Sequence, residues 1–231
     1  MIPSQHIPDI ADLTKTPRRY NMECTYMPLR ASQHIVRGYG PLDLYLAKKR
    51  CKMAIRHLRE VQHRHRILDI GCGAYPLFLS QIDFAEKYGV DQGISDELQK
   101  SVIRQGIVLT AINLHKETVL PWEDNWFDAV SMLAVIEHIE MGNLPSLLRE
   151  IYRVLRPHGR CTVTTPAPWA DSVLRLLATL RVISATEIDD HKGAYNHRNL
   201  KEFLVGAGFT ENNMKFGYFE LFLNLWAYAD K

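Results

Sequence analysis

Between residues 66 and 165, five short apolar runs (66–70, 87–91, 107–112, 129–135 and 160–165) alternate with segments of helical spacing around 77–85, 96–105 and 144–155. Strands separated by helices cannot pair as hairpins. Each helix must cross one face of the sheet and return the chain parallel to the strand before it, so the alternation predicts an α/β sandwich with both faces covered. In 144–155 the apolar stripe is Leu147, Leu148, Ile151, Val154 and Leu155, with Asn143 placed to cap the first turn and Pro145 tolerated within it. A later helix starts at Asn196, runs through Leu200, Phe203 and Leu204 to Ala207, and stops at Gly208. The runs 213–219 and 221–228 then follow with no helix between them, which predicts an antiparallel hairpin.

Ahead of the first strand, Cys51, Ala54, Ile55, Leu58 and Val61 recur at helical spacing among basic residues, so 43–62 is predicted as an amphipathic lead helix. Residues 1–42, rich in Pro, Arg and Tyr and without periodicity, are read as an arm or lid before one domain, 43–231. A chain of 231 residues with 46% hydrophobic and 23% charged residues suits a single globular domain rather than a disordered or fibrous one. No apolar run approaches the roughly 20 residues of a membrane span, and no leader pattern is seen, so the expected setting is cytoplasmic. The cysteines, Cys24, Cys51, Cys72 and Cys161, are too scattered for a zinc cluster or a disulfide framework, and no metal is expected.

The net charge of +2 conceals an asymmetry: residues 1–66 hold 13 Lys/Arg against 5 Asp/Glu, and residues 67–231 hold 15 against 21. The basic stretch 48–66 is read as a solvated face. No RNA- or DNA-binding module surrounds it, so a nucleic-acid partner is not expected. The cluster Trp122, Trp126 and Phe127 is read as packing.

The segment Ile67-Leu68-Asp69-Ile70-Gly71-Cys72-Gly73-Ala74-Tyr75-Pro76 is an apolar strand ending in an acid and two glycines, with a proline that can open a helix. Gly71 and Gly73 permit a tight turn and close approach of a ligand to backbone, and a helix start there would offer amides to an anion. A dinucleotide fingerprint needs a third small residue, and Pro76 stands in its place; a phosphate-cradling P-loop is absent. Asp91 ends the second strand, where a carboxylate can take both hydroxyls of a ribose. Asn113 and Leu114 follow the third, where an amide and a backbone N–H can read an adenine edge.

With these blocks the chain resembles the class I S-adenosylmethionine-dependent methyltransferases, in particular the small-molecule "type 11" group. The resemblance covers about 67–209 and includes Leu68–Gly73, Gly89-Val90-Asp91, the run from Leu120 to Asp128, Val135-Ile136-Glu137-His138-Ile139, the run from Glu150 to Gly159, and His191 with Ala207-Gly208-Phe209. It implies a Rossmann-like, seven-stranded sheet of order 3-2-1-4-5-7-6 with an antiparallel C-terminal hairpin. It further implies S-adenosyl-L-methionine as cofactor and S-adenosyl-L-homocysteine as product. Asp69 would orient the methionine amino group, the backbone of Gly71, Cys72 and Gly73 would meet the methionyl part, and Asp91 would hold the ribose. Asn113 and Leu114 would flank adenine, and Leu133 or Ala134 would lie near the sulfonium. Tyr75 stands where many members have glycine, and Asn113 where aspartate is commoner.

Methyl transfer asks for alignment, exclusion of water and, for some acceptors, a base. His191 and then His138 are the candidate bases, since both follow strand ends. The apolar stretch Trp169, Val173, Leu174, Leu176, Leu177 and Leu180, within a cover segment at about 167–195, suits a partly apolar small-molecule acceptor or joins two copies as a homodimer. An oxygen atom is the first expectation for the acceptor. The alternatives are a non-catalytic protein binding the same cofactor or its product, and a nicotinamide-dependent oxidoreductase.

Overall fold

The computed structural model describes residues 43–170 and 193–231. The arm 1–42 and most of the cover segment, His191 included, lie outside the described residues. Seven strands are described: β1 (Arg66–Ile70), β2 (Glu86–Asp91), β3 (Ile107–Ala111), β4 (Phe127–Leu133), β5 (Leu155–Pro166), β6 (Met214–Phe219) and β7 (Asn224–Asp230). They form one sheet in the order β3-β2-β1-β4-β5-β7-β6. The first five are parallel, and β7 is antiparallel to both its neighbours, which is the topology the family resemblance implied. The helices are α1 (Asp43–Leu58), α2 (Asp96–Val102), α3 (Leu144–Val154) and α4 (His197–Ala207). No helix among the described residues is long and apolar enough to cross a membrane.

The pleat of β1 divides the core. Ile67 faces one side, where Ile107, Leu109 and Ala129 pack with Cys51, Ala54 and Leu58 of α1 and with Phe78, Leu79 and Ile82. Leu68 and Ile70 face the other, where Val90 and Met132 meet Leu147, Leu148 and Ile151 of α3 and Leu200 and Leu204 of α4. Trp122 and Phe127 pack edge-on to each other and to Tyr88 in that second layer.

Several local expectations change. Residues 77–85 do not form a helix. Helical bonds from Ser80 N to Pro76 O (3.0 Å) and Ile82 N to Phe78 O (3.1 Å) are not continued. Phe78, Leu79, Ile82 and Phe84 are all buried, and burying Phe84 two residues after Ile82 takes the chain off a helical course and straight into β2. Strand β4 ends at Leu133 because Ala134 takes a left-handed φ of 58°. Strand β5 starts at Leu155, directly after α3, and a register shift between Phe127 and Ala129 absorbs the left-handed turn at His158 (φ 65°). Asn143 does not cap α3; its Nδ2 donates to His115 O at 3.0 Å. Asn196 does cap α4, through a reciprocal pairing with Asn199, and Gly208 closes that helix at φ 117°.

Two of the resemblance blocks brace the fold. Arg153 of α3 donates to Leu120 O, Trp122 O, Asp124 and Glu150, pinning the segment before β4. Asp128 accepts from the backbone N–H of His65 and Arg66 and from Arg156 Nη1.

Candidate active site

At the carboxyl edge of the sheet, four neighbouring strand ends are tied together. Asp69, near the end of β1, is buried, and its Oδ1 accepts from Ser131 Oγ at 2.7 Å. Ser131 is its register partner on β4. Burial pushes the Asp69 carboxyl up to about 7; the Ser131 hydrogen bond pulls it down and the negative charge of Asp91 pushes it further up.

Asp91, the last residue of β2, is also buried. Its Oδ2 accepts from Gly73 N at 3.1 Å and its Oδ1 from Gly93 N at 2.9 Å. Gly71 (φ 72°) and Gly73 (φ 74°) both need left-handed backbone. They differ in surroundings. A Cβ on Gly71 would come within 2.4 Å of Val135 Cγ2, whereas a Cβ on Gly73 would meet nothing within 4 Å. Gly71 is therefore packed under the loop after β4, and Gly73 borders open space.

The turn does not open a helix as the sequence suggested. The N–H groups of Gly71 and Cys72 donate to Val90 O (2.8 and 3.1 Å), and that of Gly73 goes to Asp91. A pyrophosphate would find these amides already used and two carboxylates beside them. A ligand with an ammonium and hydroxyls suits the same acids, and the open side of Gly73 leaves it room.

The other predicted residues distribute as follows. The Cys72 side chain is buried in the α1-side core, so only its backbone belongs to the turn. Ile112 N donates to Asp91 O at 3.1 Å, which brings the end of β3 against β2. Asn113 Oδ1 accepts from His115 N at 3.0 Å, and Leu114 is buried in the α3-side core. Leu133 packs on the α1 side, and Ala134 N is fixed by Thr164, donating to its carbonyl and to its hydroxyl at 3.0 Å each. His138 is half-buried in the short turn Ile136–His138, its N–H bonded to Val135 O. His191 lies outside the described residues.

Two participants escaped the sequence reading. Ser131 is the hydroxyl that keeps Asp69 in place, and only strand register reveals it. Glu137 is 2% exposed with Oε2 unpartnered; burial raises its carboxyl, and neighbouring His138 opposes that rise. Its position beside His138 was the one available signal.

Residues 68–163 match the family model described as "Methyltransferase domain". A demethylmenaquinone methyltransferase of Symbiobacterium thermophilum is 31% identical over 117 residues, 47% of this chain and 44% of that protein. A ubiquinone/menaquinone biosynthesis C-methyltransferase of Desulfotalea psychrophila is 33% identical over 79 residues, 34% of this chain and 30% of that protein. The chain thus spans less than half the length of these curated relatives. A crystal structure of a SAM-dependent methyltransferase from Archaeoglobus fulgidus superposes with TM-score 0.56 at 16% identity, covering 82% of this chain and 100% of that one, and shares the fold. The strand order is that of the class I S-adenosylmethionine-dependent methyltransferase fold, and residues 68–163, which carry both strand-end acids, are similar to a methyltransferase domain.

Proposed function

We propose that the protein transfers a methyl group from S-adenosylmethionine to a partly apolar, quinol-like small molecule. The observation that carries the reading is the linkage of Asp69 and Asp91 through the Gly73 turn: two buried acids, on adjacent strands, at the edge of one opening. When bound, the cofactor supplies a methyl already made electrophilic by its sulfonium. The Asp69 carboxylate would accept from the methionyl ammonium, and Asp91 would accept from the two ribose hydroxyls through the lone pairs its backbone donors leave. Asn113 and Leu114 bracket the adenine, the backbone of Gly71, Cys72 and Gly73 lines the methionyl chain, and Leu133 and Ala134 flank the sulfur. A nicotinamide dinucleotide is disfavoured because the amides of Gly71, Cys72 and Gly73 are already bonded and two carboxylates stand beside them.

The name of the Desulfotalea psychrophila relative, a C-methyltransferase of ubiquinone/menaquinone biosynthesis, favours carbon as acceptor over the oxygen expected from the sequence, and a ring carbon of a quinol is the one we propose. A phenolic hydroxyl that loses its proton activates the adjacent carbon, and His138 or His191 is the base we assign to take it; once the methyl has bonded to that carbon, its ring hydrogen leaves as a proton and aromaticity is restored. The buried thiols Cys51, Cys72 and Cys161 support a reducing, cytoplasmic setting.

The test uses a donor with a labelled methyl and a panel containing a demethylmenaquinol analogue, catechols and simple phenols. Label on a ring carbon of the quinol supports the reading. Label on oxygen alone restores the oxygen acceptor, and adenosylhomocysteine binding without transfer to any member supports a non-catalytic role. H138A and H191A are each expected to lower kcat at saturating donor at least tenfold if they act as base; a change within about threefold removes that residue from the role.

A further inference from the structure

The β6–β7 turn lies at the same carboxyl edge as the site, since Asn224 pairs with Pro166 of β5 and Phe219 of β6. Three successive residues of this turn, Glu220, Leu221 and Phe222, have left-handed φ values of 53°, 55° and 67°. None is a glycine, so each is strained. The strain does not serve the core: Leu221 is 90% exposed and Phe222 66%. Phe222 sits against Tyr218 (6.0 Å between ring centroids) and Tyr218 against Trp169 (5.1 Å), which is itself 50% exposed. The rim of the site therefore carries a continuous apolar and aromatic patch.

Alongside it stands the start of α1. Tyr45, Lys49, Lys52 and Arg56 follow one another at helical spacing as an exposed stripe, with Lys48 exposed next to them. Lys49 Nζ lies 5.2 Å over the Tyr45 ring. Helix α1 runs antiparallel to β5: its end lies at the amino edge, where His57 O accepts from Arg160 and the His57 ring packs on Trp226 and Tyr228 of β7, so its start, with Lys48 and Lys49, lies toward the carboxyl edge that carries the strained turn. Asp43 is the sole acid of α1 against Lys48, Lys49, Arg50, Lys52 and Arg56.

We propose that this rim docks on the surface of a bilayer containing anionic lipid. Leu221, Phe222 and Trp169 enter the interfacial layer while Lys48, Lys49 and Lys52 meet the headgroups. Protein–protein interface cores are depleted of lysine, whereas apolar tips and tryptophan flanked by lysine match the chemistry of a charged membrane surface. The mouth of the site would then open toward the bilayer, whichever acceptor it takes.

The test is co-sedimentation of the full chain with phosphatidylcholine vesicles, pure or containing one quarter phosphatidylglycerol. Binding is expected on the anionic vesicles, at least tenfold stronger than on the neutral ones, and weakening as salt rises. The pair L221D/F222D and the triple K48E/K49E/K52E are each expected to lower it at least tenfold. Both should keep adenosylhomocysteine binding by calorimetry, which shows that they fold. Absence of sedimentation overturns the proposal, as does equal sedimentation of the variants. A homodimer that L221D/F222D splits, with no vesicle binding, also overturns it and assigns the patch to a second copy.

Discussion

Ser131 stands directly across the β1–β4 ladder from Asp69 and donates its hydroxyl to that carboxylate at 2.7 Å. Among the described residues, the serine is the hydrogen-bond donor that favours the charged form of an acid which burial and the nearby Asp91 both push toward neutrality. This balance sets how the site responds to pH.

A neutral Asp69 cannot pair with an ammonium. Affinity for S-adenosylhomocysteine should therefore rise with pH, about tenfold per unit, until Asp69 ionises near 7, and flatten above it. S131A removes the bond that lowers the value, so its inflection should move to higher pH. Calorimetric titrations from mildly acid to mildly alkaline buffer measure both, and a flat profile for the parent protein would rule out Asp69 as the ammonium partner.

The same group makes a stability prediction. Its folded value of about 7 lies above the ordinary 3.8, so between those values the folded chain keeps a proton that the unfolded chain has lost. The resulting stabilisation is complete below the ordinary value and disappears as pH rises through the folded one, a difference of up to about 4 kcal/mol. D69N never carries the buried charge. It should melt several degrees higher than the parent at pH 8 and nearly level with it at pH 4, while losing adenosylhomocysteine binding. Parallel melts at the two pH values check this.

The two glycines of the turn should separate structure from binding. G71A drives a methyl into Val135 and strains a left-handed residue, so a loss of about 3 kcal/mol in denaturant unfolding is expected. G73A carries the backbone strain alone, about 1–2 kcal/mol, because its methyl points into open space. It should nonetheless weaken cofactor binding more than tenfold. Equal stability losses for the two variants would contradict the contrast in their surroundings.

At the opposite edge, Arg160 holds Asp230 through two bonds (2.6 and 2.8 Å), donates to His57 O at the end of α1, and stacks 3.9 Å over the Tyr228 ring. It is almost fully buried, so R160A should cost about 2–4 kcal/mol. R160K should recover less than half, because an ammonium cannot form the planar fork or the stack. Urea unfolding with tryptophan fluorescence reads both.

The strand order came only from the family resemblance, but the two-faced core, the C-terminal hairpin and the capped helix α4 were legible in the chain, because apolar periodicity and capping chemistry are local. So were Asp69 and Asp91, since an acid at the end of an apolar strand is visible as such. The segment 77–85 misled because Phe78, Leu79 and Ile82 fit a helical face; only the need to bury Phe84 as well tells that the backbone leaves the helix. Asn143 misled because a capping residue and a side chain bonded to a distant carbonyl look the same in sequence.

What the sequence by itself determined is which residues can bury, which can turn and which carry charge, since these are properties of each side chain and its near neighbours. Only the tertiary structure decided that Ser131 faces Asp69, that the amides of the glycine turn are taken by Val90 and Asp91, and that Trp169 packs against Tyr218 beside Phe222. Those pairings join residues far apart in the chain. Strand register and crossover geometry bring them together, and neither is encoded at any one position.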